Sequence, residues 1–294
     1  RTPAAIRAEN YRMVPEGRGT LEAIRSQHTK RRAPAAQEVE IRVRYTGLNF
    51  RDVLNVLDAY SVDLGDPGLE ISGVVTRVGS GVSRLREGDE VIGMGSGLYA
   101  AYVTLPERSV VRKPSNLTAA EAATIPLAFL SAEWGLRRVA RLSAGERVLI
   151  HSAAGGVGQA AVRIAKDIGA EIFATAGSEE RRALLRSQGI AHVFDSRSDA
   201  FADGVLRATG GTGVDVVLNS LTGELLQRSL DLLRSGGRFV ELGLADLKDP
   251  AELALSHPGI RYETFQLGRL PISDEEYHQL FEDVVGYVVF DVVP

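Results

Sequence analysis

The stretch that most constrains the fold is residues 147–163, which read as an apolar strand, a loop of small residues and an amphipathic helix. A strand, a glycine-rich turn and a helix in this order form a cradle for nucleotide phosphates, because N–H groups at the helix start face the anion. The dinucleotide fingerprint G-x-G-x-x-G/A occurs with alanine in its first place, at Ala153, Gly155 and Gly158. The alternative is a tight strand-to-helix turn that binds no ligand.

The residues after this helix favour the cofactor reading. A second apolar strand at 171–175 completes a β-α-β unit. A site that prefers NAD has Asp or Glu near the end of that strand, where it binds the ribose hydroxyls. Here the strand runs into Ala-Gly-Ser-Glu-Glu-Arg-Arg at 176–182, and a hydroxyl with two arginines suits a 2′-phosphate. The sequence therefore predicts NADPH, with Glu179 and Glu180 serving the helix dipole.

The order of the remaining elements predicts two domains. Residues 39–45 alternate apolar and polar side chains, and about the first 120 residues read as a turn-rich, mostly β domain. Beyond Thr118, strands at 147–151, 171–175, 192–194, 214–218, 238–242 and 262–265 alternate with helices, which is typical of a doubly wound parallel sheet. Asn219-Ser220 and Gly243 follow two of these strands, where such sheets bind ligands.

The composition limits the classes of ligand and partner that the chain can bind. The chain has 294 residues, a net charge of −4 and no cysteine, so it has no basic footprint for nucleic acid and no cysteine zinc ligands. It contains no apolar run long enough to span a membrane and no signal peptide, and we expect a cytoplasmic protein. A basic stretch at 28–32 is interpreted as a solvated loop.

Several motifs in order resemble one family. Gly-Leu-Asn-Phe-Arg-Asp at 47–52, Ala-Ala-Gly-Gly-Val-Gly at 153–158 and Gly-Val-Asp-Val-Val-Leu-Asn-Ser at 213–220 resemble zinc-free medium-chain dehydrogenases/reductases of the quinone-reductase branch. More narrowly they are similar to enoyl reductase domains of modular polyketide synthases and animal-type fatty acid synthases, and the segments 236–243 and 257–262 support the polyketide subset. The resemblance implies a Rossmann domain at 123–271 and a GroES-like substrate domain at 1–122 and 272–294, whose C-terminal return is incomplete.

The resemblance also implies an activity and partners. It implies NADPH-dependent reduction of a trans-2-enoyl thioester on an acyl carrier protein, next to other synthase domains, with the isolated domain a monomer. One alternative is a free-standing quinone or enone oxidoreductase. Another is a domain that binds the cofactor but has lost its chemistry.

Carried over position by position, the resemblance implies a set of cofactor contacts. They are the phosphate loop Ala154, Gly155, Gly156, Val157 and Gly158, the 2′-phosphate contacts Ser178, Arg181, Ser196 and Arg197, and Asn49, Thr175, Asn219, Leu242 and Gly243 around the rest of the cofactor. The resemblance implies that Asn49 lines the reacting end, although it could instead satisfy the backbone of its own turn. Tyr60 is the implied catalytic residue, as a proton donor to one face of the α-carbon; a half-buried loop aromatic is the alternative.

The chain departs from the family pattern at two places. Leu244 and Gln266 stand where relatives have a lysine and an acid that are proposed proton donors, so Tyr60 or water would have to serve. At the C-terminus, residues 274–285 predict a helix, and Tyr287 to Val293 predicts one return strand. With no cysteine, and Asn49 where a ligand cysteine would stand, we expect no catalytic zinc. The five histidines show no ligand spacing.

Overall fold

The structure is a computed structural model that describes residues 10–60 and 64–290. The chain divides into two compact units. The first runs up to Leu127 and resumes at Pro271, and the second spans Ala128–Leu270. The sequence placed the domain boundaries at 122/123 and 271/272.

The secondary structure follows the predicted order. The strands are β1 (Tyr11–Pro15), β2 (Ile24–His28), β3 (Glu38–Thr46), β4 (Glu70–Val78), β5 (Glu90–Met94), β6 (Tyr102–Pro106), β7 (Val110–Arg112), β8 (Arg147–Ile150), β9 (Glu171–Ala176), β10 (His192–Asp195), β11 (Val214–Asn219), β12 (Leu233–Glu241) and β13 (Arg261–Thr264). The α-helices are α1 (Phe50–Val56), α2 (Ala119–Ala122), α3 (Pro126–Glu133), α4 (Gly156–Ile168), α5 (Glu179–Ser187), α6 (Ala200–Ala208), α7 (Gly223–Leu230), α8 (Pro250–Ser256) and α9 (Asp274–Phe290). A π-helical segment, Trp134–Val139, continues α3. Within the described ranges, none of these helices combines the length and the apolar character that crossing a bilayer requires.

The second unit is built on a six-stranded parallel sheet. Its strand order is β10-β9-β8-β11-β12-β13, so the chain winds outwards from β8 in both directions. The central strands β8, β9 and β11 are mostly apolar because both of their faces are buried, as in parallel sheets covered by helices. Phe173, Phe201 and Phe239 are almost fully buried in its core. The predicted doubly wound fold is confirmed, and all carboxyl ends of the strands meet at one edge.

The first unit contains an antiparallel sheet. Five strands pair in the order β6-β3-β4-β5-β7, and β1 and β2 form a separate hairpin. The inward-facing side chains of β3, β4 and β5 make its core, including Ile41, Ile71 and Val91. The expectation of a mostly β first unit is confirmed.

The C-terminal strand prediction is wrong. Residues Asp274–Phe290 form one helix, so the segment from Tyr287 that was predicted as a strand continues α9, and residues 291–294 lie outside the described residues. The buried side chains of α9 recur every three or four residues, at Tyr277, Leu280, Phe281, Val284, Val285 and Val288. The buried face that results from this helical period packs against β7. This packing outweighs the preference of the valines for strands.

Candidate cofactor and substrate sites

The glycine loop of the second unit has the geometry of a phosphate cradle. Gly155 caps α4 without any side-chain hydrogen bond, so the N–H groups of the first turn remain available to an anion. At Gly158, an added Cβ would lie 2.3 Å from the carbonyl oxygen of Ser152, a distance that only glycine permits. The fingerprint positions therefore have physical reasons, and the residues present fit a dinucleotide.

The predicted 2′-phosphate contacts converge at the tips of two neighbouring strands. Because β9 and β10 are parallel and paired at Ala176 and Asp195, Ser178 and Ser196 follow adjacent strand ends. A Cβ at Gly177 would lie 3.1 Å from Arg197 Nε and 3.5 Å from Ser196 Oγ, so both side chains lie against this glycine. Ser178 caps α5 by accepting a hydrogen bond from the N–H of Arg181. Ser178, Ser196 and Arg197 thus surround one spot.

The carboxylates near this spot are neutralised by another arginine. Arg182 is mostly buried and bonds to Glu179 at 3.0 Å and to Asp195 at 3.1 Å. Arg181 and Arg197 are exposed, and no carboxylate in the described parts of the chain pairs with either side chain. Two guanidinium groups are therefore left to face an anionic ligand.

The ends of β11 and β12 are joined by a buried carboxylate that sequence reasoning missed. Asn219 and Glu241 are register partners, and the Asn219 amide donates to Glu241 Oε2 at 2.6 Å. The N–H of Gly243 donates to Glu241 Oε1, also at 2.6 Å. Burial raises the pKa of Glu241 to about 7, against these two hydrogen bonds, which lower it. Glu241 therefore fixes the two predicted nicotinamide contacts relative to each other.

The side chain of Asn219 is fully buried, and its amide group is engaged in hydrogen bonds within the second unit. It also donates to the Leu221 carbonyl at 2.8 Å and accepts from the Leu221 N–H at 3.1 Å. The backbone carbonyl of Asn219 accepts a hydrogen bond from the N–H of Leu242. Leu242 and Gly243 are half-buried beside it, and a direct contact between any of these residues and a nicotinamide stays a prediction.

Two polar residues near the glycine loop are bonded to each other instead of being free. His151 is fully buried, and its ring lies 2.9 Å from Thr175 Oγ1 and 2.8 Å from Ser229 Oγ. Burial lowers the pKa of His151 to about 3, so the imidazole is neutral. Both ring nitrogens of His151 therefore have hydrogen-bond partners within the core, and the Thr175 hydroxyl is one of these partners.

In the first unit, Asn49 is held by a buried glutamate. Its amide donates to Glu70 Oε1 at 2.8 Å, and the backbone N–H of Leu127 donates to Glu70 Oε2 at 2.9 Å. Burial raises the pKa of Glu70. A Cβ at Gly47 would overlap the Glu70 carboxylate, so this glycine permits the contact. The Asn49 side chain is therefore fixed by a different element from the turn that carries it.

Tyr60 and Asp52 lie in the same unit at the two ends of α1. Asp52 is buried and accepts hydrogen bonds from the N–H of Gly68 at 2.8 Å, from the N–H of Asn49 at 3.1 Å and from Tyr99 Oη at 3.0 Å. Tyr60 follows α1 and is half-buried. Burial, with a smaller contribution from Asp52, raises the pKa of the Tyr60 phenol, so it stays protonated at neutral pH. Among residues 10–60 and 64–290, no three acidic or histidine side chains are arranged to hold a metal ion.

Two family models match the two units. The model described as "Alcohol dehydrogenase GroES-like domain" matches residues 35–115, and the one described as "Zinc-binding dehydrogenase" matches residues 156–283. The crystal structure of CurK enoyl reductase is 39% identical, covers 96% of this chain and 87% of its own, and superimposes with a TM-score of 0.84. The chain belongs to the medium-chain dehydrogenase/reductase family, as an enoyl reductase domain of the polyketide synthase type.

Other relatives agree with this assignment. A mycocerosic acid synthase-like polyketide synthase of Mycobacterium tuberculosis is 46% identical over 283 residues, which are 94% of this chain. The chain spans 8% to 14% of the length of three such synthases. The structure of Escherichia coli quinone oxidoreductase complexed with NADPH is 25% identical, covers 95% of this chain and 88% of its own, and has a TM-score of 0.86.

Proposed function

We propose that this domain uses NADPH to reduce the 2,3 double bond of a trans-2-enoyl thioester carried on an acyl carrier protein. The observation that carries the proposal is the grouping of Ser178, Ser196 and Arg197 around Gly177 at the ends of β9 and β10, since a hydroxyl pair and a guanidinium suit a phosphate on the ribose. The likeness to an NADPH-complexed quinone oxidoreductase supports the same cofactor.

In this proposal, the residues of the second unit bind and orient the cofactor. The N-terminus of α4 holds the pyrophosphate, and Arg197 with Arg181 neutralises the 2′-phosphate. Glu241 keeps the Asn219 and Gly243 segments in register at the carboxyl edge of the sheet. When bound, NADPH supplies the hydride that adds to the β-carbon.

The residues of the first unit manage the proton and the developing negative charge. The Tyr60 phenol, protonated at neutral pH, donates to the α-carbon or hydrogen-bonds the enolate oxygen. Asn49, oriented by Glu70, offers a second polar group. Leu244 has no proton to give, so the phenol takes the role that the resemblance would assign to a lysine at that position.

Cofactor choice is tested with Arg197→Ala. A charge-assisted hydrogen bond contributes about 1.5–3 kcal/mol, so the variant should raise the KM for NADPH by about tenfold or more and leave the KM for NADH unchanged. Steady-state kinetics with a crotonyl thioester measures both constants. Arg207→Ala, which removes an exposed arginine of α6, is the control. Equal effects on NADPH and NADH would remove Arg197 from the 2′-phosphate site.

The role of Tyr60 is tested with Tyr60→Phe against Tyr45→Phe, which changes an exposed tyrosine of β3. General acid catalysis contributes about 10²-fold or more, so Tyr60→Phe should lower kcat by that order while NADPH binding, seen by nicotinamide fluorescence, is unchanged. Full activity together with an unchanged configuration at the α-carbon would make Tyr60 a packing residue.

The two alternatives remain distinguishable by experiment. A free-standing quinone or enone reductase would turn over a small quinone faster than a crotonyl thioester. A domain without chemistry is favoured by Leu244, since the usual proton donor is absent. It would bind NADPH tightly and oxidise it with neither substrate.

A further inference from the structure

Two exposed serine hydroxyls meet at the carboxyl edge of the parallel sheet. Ser152 follows β8 and Ser220 follows β11, and their Oγ atoms lie 2.9 Å apart. The two strands are neighbours, and their pairing continues to the N–H of His151, which donates to the Leu218 carbonyl at 3.1 Å. Both serines are exposed to solvent. We call these two residues the serine pair, and it lies wholly within the second unit.

The serine pair lies at the point where the sheet changes its winding direction. From β8 the chain builds β9 and β10 on one side, and β11, β12 and β13 follow on the other side of β8. In open α/β sheets, a crevice opens at such a switch point, outside the carboxyl ends of the strands, and ligands bind in it. The fold therefore places the serine pair where a ligand is expected.

The backbone of Ser152 is held in an uncommon conformation. Its φ of +50° lies in the left-handed region, which is unfavourable for residues that carry a Cβ. The Ser152 carbonyl accepts a hydrogen bond from the N–H of Gly155 at 2.8 Å, and the same oxygen is the atom that Gly158 approaches. Ser152 thus connects the glycine loop to the serine pair.

The serine pair keeps unused hydrogen-bonding capacity. Each hydroxyl has one proton and two acceptor lone pairs, and the bond between the two hydroxyls uses one of the protons. In residues 10–60 and 64–290, neither hydroxyl has a further hydrogen-bond partner. One O–H donor and several acceptor positions therefore remain. This combination suits a ligand hydroxyl, which both donates and accepts, better than a phosphate, which needs several donors.

The neighbours of the serine pair indicate which part of the cofactor it meets. On one side, Ser152 supports the glycine loop, to which we assign the pyrophosphate. On the other side, Ser220 directly follows Asn219, one of the proposed nicotinamide contacts. The group that joins the pyrophosphate to the nicotinamide in this cofactor is a ribose with two free hydroxyls.

We propose that the serine pair binds the hydroxyl groups of the nicotinamide-side ribose. This inference rests on the proposed cofactor and adds two residues that position the reacting end of that cofactor. Because NADPH and NADH share this ribose, the serine pair contributes to the affinity for both and not to the choice between them. A ribose fixed here also limits the positions that the nicotinamide ring can take.

The test uses Ser152→Gly and Ser220→Ala, with the dissociation constants for NADPH and NADH measured by nicotinamide fluorescence. Glycine adopts the left-handed conformation without strain, so Ser152→Gly keeps the backbone and removes the hydroxyl. Loss of a hydrogen bond between neutral groups should weaken the binding of both cofactors by about threefold to tenfold and leave the ratio of the two constants unchanged. Ser235→Ala, which changes an exposed serine near the amino end of β12, should bind both as wild type does.

Calorimetry with adenosine 2′,5′-bisphosphate tests the assignment to the nicotinamide-side ribose, which this ligand lacks. The wild-type domain and both serine variants should bind the bisphosphate equally. An equal loss of affinity for the bisphosphate and for NADPH would mean that the serines act through the glycine loop, and it would overturn the assignment. Wild-type affinity for NADPH in both variants would also overturn it.

The same measurements separate this inference from the proposed function. If the serine variants weaken cofactor binding but the wild-type domain does not reduce a crotonyl thioester, the reductase proposal fails and the serine pair keeps its role. Arg197→Ala should weaken the binding of NADPH alone, so a failure at the 2′-phosphate is seen independently of a failure at the ribose.

Discussion

Glu241 provides a direct test of how the burial of a carboxylate at the carboxyl edge of the parallel sheet affects the stability of the second unit. Its pKa is raised from 4.5 to about 7 because the folded chain buries it. A group whose folded pKa is raised stabilises the fold below its unfolded pKa, and this contribution is lost as the pH rises through the folded value. Between about pH 5 and about pH 8, ionisation of Glu241 should cost the second unit about 2–3 kcal/mol of its free energy of unfolding.

The perturbation is Glu241→Gln, which cannot ionise. Any hydrogen bond that the amide fails to make lowers stability equally at every pH. The difference between variant and wild type should therefore still change by about 2–3 kcal/mol across that range, in favour of the variant at high pH. The chain has a single tryptophan, Trp134, which lies in the second unit, so urea unfolding followed by its fluorescence reports on this unit. Glu263→Gln, which changes an exposed side chain on β13, is the control. Parallel pH profiles for wild type and Glu241→Gln would refute the assigned pKa and its cause.

Two further perturbations follow from the geometry. Gly158→Ala places a Cβ 2.3 Å from a backbone oxygen and should destabilise the second unit by about 1–3 kcal/mol and weaken NADPH binding, measured by urea unfolding and nicotinamide fluorescence. Gly268→Ala, with nothing within 4 Å, should do neither, and equal stability of both variants would contradict the close approach. Burial alone would raise the pKa of Glu40, but hydrogen bonds from Arg77, Arg31 and Thr76 lower it to about 2, so its stabilisation is present above pH 4.5 and is lost as the pH falls towards 2. Glu40→Gln should therefore destabilise the first unit at neutral pH by about 2–3 kcal/mol, and a circular dichroism melt equal to wild type would count against it.

The sequence predicted those parts of the molecule that depend on short-range pattern. The run from β8 through the glycine loop to α4 is local, because the fingerprint spacing and the apolar period occur within 17 consecutive residues, as the structure confirms. Alternating β and α segments then fix a parallel sheet, and its carboxyl edge follows from topology.

Contacts that depend on register could not be predicted. Glu241 lies 22 residues from Asn219, and only the pairing of β11 with β12 brings its carboxylate to that amide. Glu70 reaches Asn49 across 21 residues in the same way. Glu70 begins β4 and Glu241 ends β12, and at a strand end nothing local distinguishes a buried carboxylate from an exposed one.

The error at the C-terminus has a different cause. The segment Tyr-Val-Val-Phe from Tyr287 is rich in β-branched and aromatic residues, which favour strands. In the fold it continues the buried face that begins at Tyr277, so packing against β7 decides the conformation. Intrinsic propensity was the weaker signal.

The division of the first unit into two chain segments has a consequence for biosynthesis. A ribosome completes the second unit as one uninterrupted stretch, Ala128–Leu270, before it makes α9. Until α9 emerges, the face of β7 that it covers has no partner, and its valines remain open to unwanted association. In the nascent chain, the second unit can therefore be complete while the first unit still lacks α9. A chaperone would be most useful in the interval between completion of the second unit and the synthesis of α9.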